Sequence, residues 1–408
     1  MKRNRRKRIL IVSLIIILGF SIIIFSKNAK SGKIKPLTME QKLEDFEYLY
    51  DFIADNSPFL KVNERVNGVN WLGEKEKFKS KIEEADTDEM FISEIGRIIR
   101  KLNNPHTYVF GDMDFLYLYS FYSDEEYKDM YKPWFDTISD EKVLKRYEFD
   151  EEKLEGIQGE DSPGSDVAYC KTDIIIPNKV AYLKIEQMRH ERIEKDGAII
   201  REFLGEIKDY DKLIIDIRNN PGGSDLYWKE NIVEPLINKK ITVENYGFIR
   251  GDYGKSFYEH TGTEIFPVTD LDKNILNNFP DEIETDFKYY LKLQKTIEPV
   301  DPIGFDGKIY LIVNNKVYSA AESFASFCKD SDFATLVGGT TGKDGIGTNP
   351  LVFSLPNSGL IINFNGILGL NGDGTINAEV GIIPDVEINP AIGATYERDQ
   401  AIQYIIND

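Results

Sequence analysis

Short apolar runs that alternate with helical patterns constrain the fold of this chain most. Between residues 180 and 337, most apolar runs of four to six residues are followed by a helical stretch. This order is typical of a mostly parallel β-sheet, whose buried strands are linked by crossover helices. We therefore predict an α/β core over residues 174–408. Its predicted strands are 180–185, 212–217, 308–313 and 334–337, and its predicted helices are 196–208, 225–238 and 319–329.

A helical unit is predicted before this core, over residues 38–112. It begins with Thr38 and Gln41, whose spacing predicts a capping box, and continues with helical patterns near 74–84 and 87–102. Residues 113–173 are rich in tyrosine, phenylalanine and acids. We expect this segment to be an insert or lid with loose packing.

The first 26 residues combine six basic side chains, no acid and an apolar run over residues 9–25. At 1.5 Å per residue this run spans about 26 Å, the short end of a membrane-crossing helix. We predict a basic cytoplasmic tail at 1–8, an uncleaved single-pass anchor in the cell membrane at 9–26, and a polar linker at 27–37. The positive charge before the anchor places the remainder outside the cytoplasm. A cleaved signal peptide followed by secretion is the alternative.

Charge and residue content exclude several classes of function. The net charge is −19, and residues 27–408, with 44 basic and 69 acidic side chains, carry −25. A body this acidic repels phosphate backbones, so we predict no nucleic-acid partner. Two cysteines and three histidines, without a CxxC or HExxH pattern, leave little material for a metal site. We predict neither a metal nor another cofactor.

Three turns follow predicted strands, at the edge where parallel α/β sheets place their ligand sites. Residues 216–223 end in two glycines that let backbone N–H groups approach a ligand, although an ordinary tight turn has the same pattern. Ser319 lies where a helix N-terminus would stabilise an anionic nucleophile, although a serine that only caps the helix has the same sequence pattern. Residues 337–345 lack the glycine and hydroxyl that a phosphate-binding loop requires.

In combination, these motifs resemble those of the C-terminal processing and tricorn-type serine peptidases, a family that also includes retinoid-binding relatives without peptidase activity. The resemblance extends over roughly residues 38–390. It implies a crotonase-like or ClpP-like α/β core, with Ser319 as the nucleophile and the backbone N–H groups of Gly222 and Ala320 as oxyanion donors. The matching segments are LNNPHT (102–107), DIRNNPGG (216–223), YSAAESF (318–324), GGTTGKDGIGTNP (338–350) and EVGIIPD (379–385).

The resemblance implies two different general bases. In the processing branch a lysine after the serine accepts its proton, and Lys343 matches that position. A lysine acts as a base only when it is uncharged, which requires burial. In the tricorn-like branch a histidine and a glutamate complete a triad, and His106 and Glu379 match. We favour Ser319, His106 and Glu379, with Lys343 as the alternative base. The other histidines match no motif.

The resemblance predicts a membrane-anchored serine endopeptidase that acts on protein or peptide substrates outside the cytoplasm. Residues 113–173 show no recognisable PDZ module, so recognition of a free substrate C-terminus is not expected. One alternative is a non-catalytic module that binds a hydrophobic ligand or peptide, supported by the aromatic segment 113–136. Another is a structural wall-binding protein. The sequence does not predict an oligomeric state.

Overall fold

A computed structural model describes residues 35–125, 127–155 and 168–408. The helices are α1 (Met39–Asn56), α2 (Leu60–Asn67), α3 (Lys75–Glu83), α4 (Asp88–Arg100), α5 (Asp112–Ser123), α6 (Lys132–Ile138), α7 (Glu141–Arg146), α8 (Glu152–Glu155), α9 (Ile193–Glu206), α10 (Asp225–Trp228), α11 (Glu234–Leu236), α12 (Tyr253–His260), α13 (Lys273–Leu276), α14 (Glu282–Asp286), α15 (Ala320–Ser331), α16 (Asn377–Val380) and α17 (Gln400–Asn407). The strands are β1 (Tyr108–Val109), β2 (Cys170–Ile176), β3 (Val180–Ile185), β4 (Lys212–Asp216), β5 (Ile241–Ile249), β6 (Phe266–Pro267), β7 (Tyr289–Ile297), β8 (Lys308–Val313), β9 (Thr335–Gly338), β10 (Leu351–Ser354), β11 (Ile361–Phe364), β12 (Leu368–Leu370) and β13 (Val386–Glu387).

The central sheet confirms the predicted parallel core. Its order is β13-β9-β8-β4-β3-β2, and every neighbouring pair is parallel except the antiparallel edge pair β2–β3. All four predicted strands form within one or two residues of the expected positions. The predicted helix 225–238 is interrupted by a π-helical turn, Lys229–Val233, between α10 and α11. The carboxyl ends of β4, β8 and β9 therefore lie side by side at one edge.

Two smaller antiparallel sheets were not predicted. One has the order β12-β5-β7-β6, and the other has the order β1-β11-β10. Exposure alternates along residues 241–246 of β5 and 292–297 of β7, because one face of this sheet is covered more than the other. The second sheet joins residues that are far apart in sequence, since Tyr108 pairs with Asn363 and Val109 with Ile362. Pairing at that separation carries no local sequence signal.

The helical unit before the core forms as predicted. The Thr38 side chain accepts from the N–H of Gln41, while the Gln41 side chain accepts from the Thr38 N–H, which confirms the capping box. Residues 113–155 differ from the loosely packed lid we expected. They form α5 to α8, and the side chains of Phe115, Tyr122 and Trp134 are buried in the same apolar cluster as α1, α4 and β11. Aromatic residues in this segment therefore build the core.

The predicted basic tail and anchor, 1–8 and 9–26, lie outside the described residues, as does most of the linker. Among the residues that the structure describes, no helix combines the length and apolar content needed to cross a membrane. Both cysteines, Cys170 and Cys328, are buried free thiols.

Candidate active site

Ser319 lies in a sharp turn between strand β8 and helix α15. Its backbone has φ 63° and ψ −126°, a conformation that a residue with a Cβ adopts only at a cost of roughly 1–3 kcal/mol. The turn presents the hydroxyl at the carboxyl edge of the sheet, immediately before the first turn of α15. Ser319 is fully buried.

His106 faces Ser319 from the other side of the site. The distance from Ser319 Oγ to His106 Nε2 is 3.2 Å, within hydrogen-bonding reach. His106 Nδ1 lies 2.9 Å from Asp344 Oδ2. An ionised carboxylate only accepts hydrogen bonds, so Nδ1–H donates to Asp344 and Nε2 is left to accept from the serine hydroxyl. Ser319, His106 and Asp344 therefore form a continuous chain of hydrogen bonds.

Strand β1 and its antiparallel partner β11 fix the position of His106. Asn363 of β11 donates from Nδ2 to the His106 backbone carbonyl at 2.7 Å. The His106 N–H donates to Asn104 Oδ1 at 3.0 Å. Both polar groups of the His106 backbone are thus held by side-chain amides, which fix the point from which the imidazole extends.

Asp344 accepts from four side chains. In addition to His106, the donors are Tyr318 OH at 3.0 Å, Asn104 Nδ2 at 3.1 Å and Asn365 Nδ2 at 2.8 Å. Burial, followed by the charge of Asp344, raises the pKa of Tyr318 well above its ordinary value, so the hydroxyl stays protonated and donates. The Asp344 side chain is 8% exposed, and its orientation is fixed by these bonds rather than by solvent.

The two remaining candidates from the sequence lie elsewhere. Glu379 was predicted to orient His106, but its carboxylate accepts from Arg65 Nε at 2.7 Å and forms part of an ion cluster with Glu282. Among the described residues, no hydrogen bond joins Lys343 to Ser319. Its half-buried side chain lines a cavity beside the site instead. The structure therefore pairs His106 with Asp344, an acid that the sequence analysis did not consider.

The predicted oxyanion donors differ in their availability. Gly222 packs so closely on the nucleophile that an added Cβ would lie 2.8 Å from Ser319 Cβ, and its φ of +101° also favours glycine. However, the Gly222 N–H donates to Asn220 Oδ1 at 2.8 Å. The Ala320 N–H has no hydrogen-bond partner among the described residues. Ala320 is thus the open donor, and Gly222 becomes one only when Asn220 releases it.

Glu322, one turn into α15, is a second buried acid that the sequence analysis did not single out. Its Oε1 accepts from Thr341 Oγ1 at 2.6 Å and from Asn377 Nδ2 at 3.2 Å, while its Oε2 is buried and has no hydrogen-bond partner among the described residues. Burial raises the pKa of Glu322 to about 8, although these hydrogen bonds oppose the rise. Near neutral pH this acid is therefore mostly protonated.

The other histidines lie outside the hydrogen-bond chain that contains Ser319. His190 Nδ1 lies 3.4 Å from Ser224 Oγ, and His260 Nε2 lies 2.8 Å from the Asp129 carbonyl. Within the described ranges, no three histidine, cysteine or acidic side chains are grouped so as to hold a metal ion.

A buried serine, histidine and aspartate joined in this order form the arrangement of a serine hydrolase. The profile of Peptidase family S41 matches residues 179–388, about half of the chain. The chain belongs to this family, which confirms the resemblance inferred from its motifs. A serine peptidase family implies protein or peptide substrates.

Solved structures show the same fold. A predicted peptidase from Parabacteroides merdae is 18% identical, with a TM-score of 0.55 over 90% of this chain and 96% of its own. Mature CPAF, solved in complex with lactacystin, is 13% identical, with a TM-score of 0.52 over 86% of this chain and 94% of its own. No curated protein matches the sequence. At these identities the likeness extends to the fold alone.

Proposed function

We propose that this protein is a serine endopeptidase that cleaves protein or peptide substrates through an acyl-enzyme at Ser319. The observation that carries the proposal is the chain of contacts from Ser319 Oγ to His106 Nε2 at 3.2 Å and from His106 Nδ1 to Asp344 Oδ2 at 2.9 Å. Lys343, the alternative base, has no comparable contact with the serine. Membership of the peptidase family supports the same reaction.

In the proposed mechanism, His106 Nε2 removes the proton from Ser319 as Oγ attacks the carbonyl carbon of the scissile peptide bond. The C–N bond then breaks, and the imidazolium gives its proton to the departing amine. A water molecule, activated by the same nitrogen, attacks the resulting ester, which releases the carboxylic acid product and restores the serine hydroxyl. Asp344 holds the tautomer and stabilises the imidazolium that forms in each half-reaction.

The oxyanion of each tetrahedral intermediate would be stabilised by the Ala320 N–H, which lies at the first turn of α15. The positive end of the helix dipole favours negative charge at this position. The Gly222 N–H joins as the second donor after it leaves Asn220. Removal of one such donor typically lowers kcat by 10²–10³-fold. The release of the Gly222 N–H from Asn220 would therefore control a large part of the rate.

Fluorophosphonate labelling and cleavage of a denatured protein substrate test the proposal. We expect wild-type protein to label at Ser319 and Ser319→Ala to lose both labelling and cleavage. His106→Ala should reduce kcat by about 10⁴-fold or more because the serine loses its base. His260→Ala is the matched control, since His260 hydrogen-bonds the Asp129 carbonyl and lies outside the hydrogen-bond chain that contains Ser319, and its activity should equal that of the wild type.

Two results would contradict the proposal in different ways. Folded wild-type protein that neither labels nor cleaves would overturn the assignment as a peptidase and favour the binding module. If Lys343→Met stopped the labelling while His106→Ala did not, the protein would still be a serine peptidase, but with lysine as its base.

We also propose that residues 9–26 anchor the protein in the cell membrane, with the peptidase outside the cytoplasm. The support is in the sequence: six basic residues precede an acid-free apolar run, and a strongly acidic body follows. We expect the intact protein to sediment with membranes and to be digested by protease added outside spheroplasts. Recovery of a soluble form whose N-terminus begins after residue 26 would support the cleaved signal instead.

A further inference from the structure

A cavity of about 190 Å³ lies next to the three residues of the proposed triad. Its wall includes Tyr318, which precedes the nucleophile, Pro105, which precedes the histidine, and Asp344 itself. At about 30 Å³ per water molecule, the space would hold roughly six waters or one amino-acid side chain. A substrate residue close to the scissile bond could therefore enter it.

The far wall of the cavity belongs to the helical unit and combines apolar side chains with several asparagines. Phe59, Val62 and Val66, on or next to helix α2, face the core across the space. Arg65 holds this helix in place, because its guanidinium binds Glu379 of α16 and Glu282 of α14. The cavity thus lies between the helical unit and the core. The ion cluster of Arg65, Glu282 and Glu379 fixes the distance between these two parts.

Among the described residues that line this partly apolar space, Lys343 is the one cation. No carboxylate of the described residues lies within ion-pair distance of Lys343 Nζ, whereas Arg65 is neutralised by two acids. The one acid in the cavity wall, Asp344, already accepts from His106, Tyr318 and two asparagines. Lys343 is therefore free to pair with a negative group brought by a ligand.

We propose that this cavity binds a carboxylate-bearing residue of the substrate, with Lys343 as the residue that recognises the negative charge. The inference rests on the proposed peptidase function. The apolar wall would contact the aliphatic part of the residue, while the ammonium group would bind its carboxylate. Since residues 27–408 carry a charge of −25, an acidic substrate residue would be repelled by most of the surface, and a local cation is what makes its binding favourable.

A carboxylate can come from an acidic side chain or from the C-terminus of the substrate, and peptides distinguish the two. The first comparison uses two sets of fluorogenic peptides. One set carries Glu, in turn, at each position around the cleavage site, and the other carries Gln at the same positions. A second pair differs by a free against an amidated C-terminus. We expect wild-type enzyme to prefer the carboxylate member of one pair by about tenfold or more in kcat/KM, which corresponds to about 1.4 kcal/mol.

Variants at Lys343 then test the assignment. Lys343→Met should reduce the preference to near one, Lys343→Arg should retain most of it, and Lys343→Glu should invert it toward Lys-containing peptides. Lys239→Met, at an exposed lysine outside the cavity, is the matched control and should keep the wild-type ratio. Because each ratio is measured within one enzyme, a change in folded fraction does not alter it.

Failure of this inference and failure of the proposed function look different. If the wild type cleaves peptides but shows no carboxylate preference, or if Lys343→Met keeps that preference, the cavity assignment is wrong and the peptidase stands. If folded wild type neither cleaves any peptide nor labels with a fluorophosphonate, the proposed function is wrong and this inference falls with it.

Discussion

Two buried carboxylates near Ser319 lie in contrasting surroundings. Asp344, on the histidine side, accepts hydrogen bonds from four side chains that point at its two oxygens. Glu322, on the helix side, has one oxygen with two side-chain donors and one that finds no hydrogen-bond partner in the part of the chain that the structure describes. The first environment suits a negative charge and the second suits a neutral acid. The comparison indicates that the donors around a buried carboxylate decide whether its charged or its neutral form is stabilised.

The strongest test of this contrast is Asp344→Asn. The amide keeps the shape of the side chain but can donate to His106 Nδ1, which would force the wrong tautomer and leave no acceptor for the serine proton. We expect kcat to fall by about 10³- to 10⁴-fold, measured by peptide hydrolysis at saturating substrate. Thermal unfolding monitors the fold. A loss of less than tenfold would show that Asp344 does not orient the histidine.

Tyr318→Phe weakens the same environment by one donor. Without the hydroxyl, the Asp344 carboxylate keeps three donors and gains freedom to rotate away from His106. A lost hydrogen bond to a buried charge of this kind costs about 1–3 kcal/mol, so we expect kcat to fall by roughly tenfold. Tyr310→Phe is the matched control, because it removes a hydroxyl–carboxylate contact with Asp408 far from the site. Equal effects of the two variants would contradict a positioning role for Tyr318.

Glu322→Gln should have the smallest effect on activity, below about threefold, because glutamine resembles the protonated acid and retains an oxygen for Thr341 and Asn377. Its effect should appear in stability. The folded pKa of about 8 lies above the ordinary glutamate pKa of 4.5, so the folded state holds a proton that the unfolded state releases between these values. Wild-type stability should therefore fall as pH rises from about 4.5 to 8, by up to roughly 1.4 kcal/mol per pH unit.

Denaturant melts of wild type and Glu322→Gln across this pH range measure that slope. The free energy of unfolding should change less with pH in the variant than in the wild type. The stability difference that this change produces should be absent near pH 4 and greatest near pH 8. Parallel curves would mean that Glu322 is ionised in the folded protein at neutral pH, and the contrast with Asp344 would then disappear.

Most of the central sheet could be predicted from the sequence because its strands are continuous apolar runs. Ser319 was identified because its motif follows such a strand, and His106 was identified by its segment. Asp344 was not predicted as a site residue. It follows β9 at the same edge of the sheet, between Gly342 and Gly345, and this position could have indicated it. Glu379 matched a family motif, but no sequence pattern shows that Arg65 binds it.

The small sheets were less predictable for a physical reason. The three-stranded sheet that holds His106 depends on pairing between Tyr108 and Asn363, and such a pairing is decided by packing across the whole molecule rather than by neighbours in the chain. The roles of Asn104 and Asn365 are also decided by the whole fold. Only the structure shows that their side-chain amides donate hydrogen bonds to Asp344.

The pairing of β1 with β11 also determines when the site can exist during synthesis. His106 precedes Ser319 by 213 residues, and Asn363, which holds the His106 carbonyl, follows that histidine by 257. A ribosome-bound chain therefore exposes its histidine long before its serine, and it completes the support for that histidine only when β11 has emerged. The growing polypeptide therefore carries no assembled arrangement of Ser319, His106 and Asp344 for most of its translation.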